Sequence, residues 1–402
     1  MRCRKMKYQY LYKVKYSDYN HYEQEYKERY NNISTYRYDF NVGINPAFVV
    51  ITPEILQLIT NIQSLDKRLF VLKTHLPSVA LSQFTQKSLI DEVKLTNELE
   101  GVASTRKEIK EVLYNMSDKS NRLHGIVQKY ALLITSDKVP LNNCRDIRNL
   151  YDDFVLTEVT NTDEKNVPDG DIFRKDNVYV KNKSTGKTIH TGLYPETKII
   201  EVMSSLLSML NNSEYNPFIN IAVMHYMFGY VHPFYDGNGR MSRFISSYLL
   251  SKQIDRLVGS RLAYTIKKDI KKYYKMFDLT NDKLNKGDLT PFTIYFLELI
   301  EMSLMDLINY FSDQIKKLEF YDEKINEHLN QPIDHRKALF IAVQATVFGD
   351  DGIDVNELSI AIKKSVSTTR KIVNRLCDDG FLLKKKSRPV LYNANLDKIS
   401  EL

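Results

Sequence analysis

Tryptophan is absent from this 402-residue chain, cysteine occurs only three times, and glycine and proline number just 14 and 11. The low glycine and proline contents exclude collagen-like and linker-type chains. Cys3, Cys144 and Cys377 are odd in number and far apart, which argues against a disulfide framework and a cysteine-based zinc site. The expectation is a reduced, cytoplasmic protein. No uninterrupted apolar run of about 18 residues occurs, so no membrane span is expected, and the basic start MRCRKMKYQYLYKVKY lacks the apolar stretch of a signal peptide. Charge of one sign is also scarce. The 57 Lys and Arg against 50 Asp and Glu leave only +7, too little for a protein that coats nucleic acid. What is present is 43% hydrophobic and 27% charged residues, enough apolar side chain to close cores in two or three domains.

Ten of the 27 tyrosines fall in residues 1–40, and the alternation of Tyr8, Tyr10 and Tyr12 predicts a strand-like or frayed arm within an extension spanning 1–50. From Pro53 the three- and four-residue spacing of Ile55, Leu58, Ile59, Ile62, Leu65 and Leu69 predicts amphipathic helix, and helices dominate a region spanning 51–130. Val178 and Val180 alternate with polar residues, and the turn formers Ser184, Thr185 and Gly186 follow, so a hairpin is expected over 178–191. Helical periodicity then resumes through residue 320. The polar stretch EKINEHLNQPIDHRK, broken by Pro332, reads as a linker before a separate domain at 333–402. The fold class is mainly α.

The densest chemistry lies in His232-Pro233-Phe234-Tyr235-Asp236-Gly237-Asn238-Gly239-Arg240-Met241-Ser242-Arg243, between two apolar helical segments. Pro233 must break the preceding helix. Gly237 and Gly239 allow backbone amides to converge on an anion at the next helix N-terminus. Arg240 and Arg243 share a face of that helix and suit a polyphosphate, while Asp236 offers the hard oxygen that Mg²⁺ requires. A neutral His232 beside such a nest can accept a proton from an attacking hydroxyl. Ser184-Thr185-Gly186-Lys187-Thr188 looks like the end of a P-loop, but Lys181 stands where its first glycine belongs. Gly237-Asn238-Gly239 likewise fails as a dinucleotide fingerprint, because Ser242 occupies its last glycine position.

HPFYDGNGRMSR resembles the Fic-family signature HPFx[DE]GNGRxxR at every fixed position. The resemblance covers roughly residues 50–320. It implies a helical Fic core at 131–320 with a β-hairpin flap, transferring AMP from Mg·ATP to a Ser, Thr or Tyr hydroxyl of a protein. His232 would be the base, Asp236 the metal ligand and Asn238 an α-phosphate contact. Gly237 and Gly239 would form the backbone anion hole, with Arg240 and Arg243 on the β and γ phosphates. Upstream, Thr96, Glu100 and Gly101 match the Fic inhibitory motif [ST]xxxE[GN], which implies that Glu100 takes the Arg243 guanidinium from the γ-phosphate. Tyr274 and Asn281 resemble the family's adenosine contacts. The 178–191 hairpin would dock the protein substrate by strand addition. Gly229 departs from the acidic residue that the family commonly has three places before its histidine.

Residues 336–348, 355–364 and 367–379 read as three helices, Ser367 being the cap of the third, followed by short strands at 381–383 and 390–392 around a Lys384, Lys385, Lys386 wing. That order predicts a small winged-helix domain. Its twelve Lys or Arg against nine Asp or Glu favour a protein partner slightly over DNA through Arg370, Lys371, Asn374 and Arg375. The expected partners are ATP, a protein substrate or the chain itself, a second copy of the chain, and protein or DNA at the winged helix. The rival functions are removal of AMP, another phospho-group transfer by the same fold, and a DNA-binding regulator that senses nucleotide.

Overall fold

The computed structural model describes all residues except 1–7, 136, 182–185, 187, 212–213 and 386–388. Cys3, the Ser184-Thr185 part of the expected turn, and the Lys386-Ser387-Arg388 part of the expected wing lie outside the described residues. The fold is mainly α-helical, with three small antiparallel sheets among the described residues. Two compact units divide the chain, one of Met1–Asp66 with Ile90–Leu304 and one of Lys67–Leu89 with Met305–Leu402.

The first unit is built around the helix Pro217–Val231, whose sequence PFINIAVMHYMFGYV is apolar on every side. A helix without a polar face has to be enclosed, and nearly all of this one is buried. It starts sharply because Asn216 accepts from the Phe218 amide and Pro217 has no amide to leave unpaired. The helix Asn238–Gln253 packs against it, with the Ser242 and Ser246 hydroxyls meeting His225. Tyr226, Phe277 and Phe292 close the opposite side, with ring centroids 4.8–5.6 Å apart. His225 is fully buried between the Ser246 hydroxyl at 2.8 Å and the Tyr273 hydroxyl at 2.9 Å, so it is a structural histidine.

The tyrosine-rich start forms no strand at Tyr8, Tyr10 and Tyr12: residues 8–10 have no regular secondary structure and Tyr12 lies in a helix. Helices Leu11–Ser17 and Tyr19–Asn31 precede a hairpin of Thr35–Val42 and Asn45–Val50. Leu11 and Tyr22 bury against Phe48, and this contact, not the period of the tyrosines, sets the local structure. The segment is also tied down far along the chain. Asp288, almost wholly buried, accepts from the Tyr8 hydroxyl at 2.7 Å and pairs with Arg29 at 3.1 Å. Phe48 exchanges backbone hydrogen bonds with Gly287 and Leu289.

In the second unit, helices Ile333–Phe348, Val355–Ile362 and Val366–Asp378 pack with a three-stranded sheet in the order Ile353–Asp354, Leu391–Ala394, Leu382–Lys385. The third helix is capped by Ser365, whose hydroxyl accepts from the Thr368 amide; Ser367, the expected cap, lies inside its first turn. The expected linker is largely helical: Lys324–His328 continues the helix Thr290–Glu323, with Ile325 and Leu329 buried. Pro332 breaks the chain only at the start of the next helix.

Candidate active site

The helix Pro217–Val231 ends because His232 turns left-handed, at φ 52°, and Pro233 cannot continue the ladder. The loop that follows is held by its own residues. The Asn238 side chain accepts from the Phe234 amide at 3.0 Å and donates to the Phe234 carbonyl at 2.8 Å. Phe234 is buried in a stack on Tyr151, centroids 3.7 Å apart, and the Tyr151 hydroxyl donates to the Asp236 carbonyl at 3.2 Å. Gly237 caps the helix Asn238–Gln253 at φ 80°, and a Cβ there would sit 3.0 Å from Val155 and 3.3 Å from Tyr151. Backbone angle and space therefore both demand glycine. The first-turn amides of that helix have no intrahelical carbonyl and form a positive end suited to an anion.

His232 donates from Nδ1 to the Gly229 carbonyl at 3.2 Å; a carbonyl partner fixes the proton there and leaves Nε2 as an acceptor. Burial pushes the ring down to about 4, against the Gly229 hydrogen bond, and the nearby His190 and Arg174 push the same way as burial. The imidazole is neutral at physiological pH. Gly229 itself is packed: a Cβ would lie 3.0 Å from the Phe277 ring, so that ring would have to shift to admit a larger side chain.

Asp236 accepts from the Gly237 amide at 2.6 Å through one oxygen, and its other oxygen lies 3.8 Å from Arg240. Its side chain is 42% exposed. Among the described residues no cluster of three or more His, Cys, Asp or Glu could cage a metal. A single open carboxylate fits a Mg²⁺ ion that arrives on phosphates and keeps its waters, and does not fit a resident metal held by protein alone.

The two motif arginines are both buried and both paired with a carboxylate. Arg243 donates to Glu100 at 2.7 Å, to the Thr96 hydroxyl at 2.8 Å and to the Thr96 carbonyl at 3.0 Å. Burial, the largest single influence, lowers Arg243, but the charge and hydrogen bond of Glu100 together with Tyr273 and Tyr130 outweigh it and hold the guanidinium above its ordinary range. Glu100 ends the helix Ser78–Glu100, and Gly101 follows at φ 80°, as a C-cap glycine does. A Cβ on Gly239 would collide with the Glu100 carboxylate, so this carboxylate lies against the N-terminal turn of the motif helix. Arg240 pairs with Glu158, while its Nε and Nη2 atoms have no hydrogen-bond partner.

Other expected residues are placed less directly. The Tyr274 hydroxyl donates to the Leu99 carbonyl at 3.4 Å, beside the end of the helix Ser78–Glu100. Asn281, two turns further along Ile270–Asn281, accepts from the buried Tyr226 hydroxyl at 2.6 Å. The hairpin consists of Tyr179–Lys181 and Thr188–Thr191, with Tyr179 opposite Thr191 and Val180 opposite His190. It is fastened beside the histidine turn: the Leu193 amide donates to the Val231 carbonyl at 3.0 Å, and His190 Nε2 lies 2.6 Å from the Tyr230 carbonyl.

Sequence reasoning missed Arg174, Glu158, Glu196 and Tyr151. Glu196 accepts from the amides of Asp171, Ile172 and Phe173 and so shapes the loop before the hairpin. None of these residues lies in a spacing pattern that marks it. Their partners are backbone atoms or residues far away in the chain.

Residues 143–250 match the Fic/DOC family model. The protein adenylyltransferases Fic of Drosophila sechellia and Drosophila melanogaster are each 29% identical over 136 residues, 34% of this chain and 25% of theirs. The matched stretch thus spans about a quarter of those relatives. A crystal structure of a Fic family protein from Desulfovibrio desulfuricans G20 superposes with a TM-score of 0.53 at 18% identity, over 86% of this chain and 97% of that one. No described helix is long and apolar enough to cross a membrane. The motif loop, the family match and the shared fold agree that residues 143–250 of this chain form a Fic/DOC-type domain.

Proposed function

We propose that the chain is an autoinhibited protein adenylyltransferase that moves AMP from Mg·ATP to a Ser, Thr or Tyr hydroxyl of a target protein or of the chain itself. The observation that carries this reading is the neutral His232, with Nε2 free, one loop away from a glycine-shaped helix N-terminus. His232 Nε2 takes the proton of the acceptor hydroxyl. The hydroxyl oxygen bonds to the α-phosphorus, the bond to the bridging oxygen breaks, and pyrophosphate leaves. The first-turn amides after Gly237 balance charge on the phosphates, and Arg243 meets the γ-phosphate once Glu100 has moved away. Asn238 acts first by shaping the loop and then by offering its remaining amide hydrogen to the α-phosphate. Mg²⁺, held by Asp236, would neutralise the leaving pyrophosphate.

The ion pair of Glu100 with Arg243 supports inhibition, since one carboxylate takes up the guanidinium and crowds the helix end where phosphates belong. The same carboxylate supports a second reading, orientation of a water that removes AMP from a modified target. Tyr274 and Asn281 are the candidate adenosine contacts, and the hairpin the candidate dock for the acceptor. Residues 333–402 are read as a winged helix that contacts protein rather than DNA, with Arg370, Lys371, Asn374 and Arg375 exposed on one helix. The test is incubation of the chain and of Glu100→Gly with ATP labelled at the α or the γ phosphate, each with and without His232→Ala. Protein-bound α label that depends on His232 supports AMP transfer; protein-bound γ label overturns it.

A further inference from the structure

Arg174 is fully buried, and among the described residues no carboxylate pairs with it. Its guanidinium is spent on carbonyl oxygens. Nε donates to His232 at 2.8 Å, Nη2 to Leu193 at 2.8 Å and to Val231 at 3.4 Å, and Nη1 to Asp176. Its own amide donates to Pro233 at 3.3 Å. A buried cation without a counter-charge is costly, so its retention at this spot calls for a reason beyond packing.

Its partners give that reason. Asp176 lies just before the first hairpin strand and Leu193 just after the second, while Val231 and His232 are the break that presents the imidazole. His232 is a non-glycine residue in a left-handed conformation, which costs free energy that contacts must offset, and Arg174 Nε is bonded to its carbonyl. Gly192 confirms how tightly these parts meet. A Cβ there would lie 2.5 Å from Arg174 Nη2 and 3.1 Å from His232 Cβ.

Resting on the proposed AMP transfer, we propose that Arg174 is a positioning residue: one planar guanidinium registers both ends of the acceptor-docking hairpin against the backbone of His232. A strand added to the hairpin is thereby aligned with Nε2 without any contact between Arg174 and nucleotide. The nucleotide-facing groups lie at 236–243, outside its reach, so Arg174 acts on turnover and not on ATP affinity.

The test uses the full chain, with Arg174→Gln and Arg174→Lys made both in the unaltered protein and in a Glu100→Gly host. In the unaltered protein, ¹⁵N-histidine spectra, assigned with His232→Ala, read the His232 tautomer without any nucleotide. The Nδ1–H form is expected to dominate, and Arg174→Gln is expected to populate both tautomers. In the host, α-label transfer to the chain itself is expected to fall about 100-fold in kcat for the Gln variant, as a small displacement of a base does, with KM for ATP unchanged. Arg174→Lys, which keeps the charge but loses the fork, is expected to lie between the two. An unaltered His232 spectrum in a folded Gln variant overturns the proposal. If the Gln variant does not fold, an unaltered spectrum in Arg174→Lys overturns it equally. A Glu100→Gly host that transfers no AMP sinks the functional reading instead, and the imidazole spectrum still decides the role of Arg174.

Discussion

Arg174 and Arg243 are both buried, and their partners differ in kind. Arg243 meets a carboxylate on the last residue of a helix, followed by a glycine at positive φ. Arg174 meets only backbone carbonyls from three segments. The first pairing is exchangeable, because a phosphate presents to a guanidinium the same planar pair of oxygens that a carboxylate does. The second is not, because no incoming ligand can replace four carbonyls fixed by the fold. One guanidinium is arranged to be given up and the other to stay.

The largest effect is expected where the two regions meet. His232→Ala should lower AMP transfer by about 10³-fold, within the range for loss of a general base, with ATP affinity unaltered; equal loss of both would mean that the loop has collapsed. Next comes the exchangeable arginine. Glu100→Gly should raise transfer by about 100-fold, roughly the equivalent of one charge-assisted contact, whereas Glu100→Gln should raise it less because the amide still crowds the helix end. Label incorporation over time measures both.

Acidity separates the regions further. Because burial holds His232 down to about 4, transfer by Glu100→Gly should persist as pH falls below 6.5, where an ordinary histidine base would be lost. An acid limb near 6.5 would show that the His232 ring titrates as an ordinary histidine does. The smallest effect concerns stability. Burial pushes His225 down to about 3, so between there and 6.5 the unfolded chain binds a proton that the folded chain does not. This contribution is complete above 6.5 and is lost as pH falls towards 3, about 2 kcal/mol between pH 7 and pH 5. Urea midpoints should show that loss, and His225→Gln should diminish it.

How far each region could be read in advance follows from the same contrast. The loop from His232 to Arg243 was legible because its proline, its glycines and its charged groups act within a few residues of one another. Glu100 became legible only through a resemblance, since its partner lies 143 positions away. Arg174 was illegible: carbonyl oxygens belong to every residue, so no pattern of side chains announces a guanidinium that binds them. The tyrosine alternation misled for a related reason. The burial of Leu11 and Tyr22 on Phe48 outweighed local period, just as the burial of Ile325 and Leu329 turned an expected linker into helix.

The anchoring of Asp288 has a practical consequence for anyone trimming the protein. Deleting the first fifty residues would remove Tyr8, Arg29 and the Phe48 backbone together, uncovering Asp288 and leaving the stretch that follows Asn281 without the segment it packs on. A shortened version would then be unsound beside Asn281, one of the two candidate adenosine contacts, and its silence in an assay would reveal damage rather than regulation.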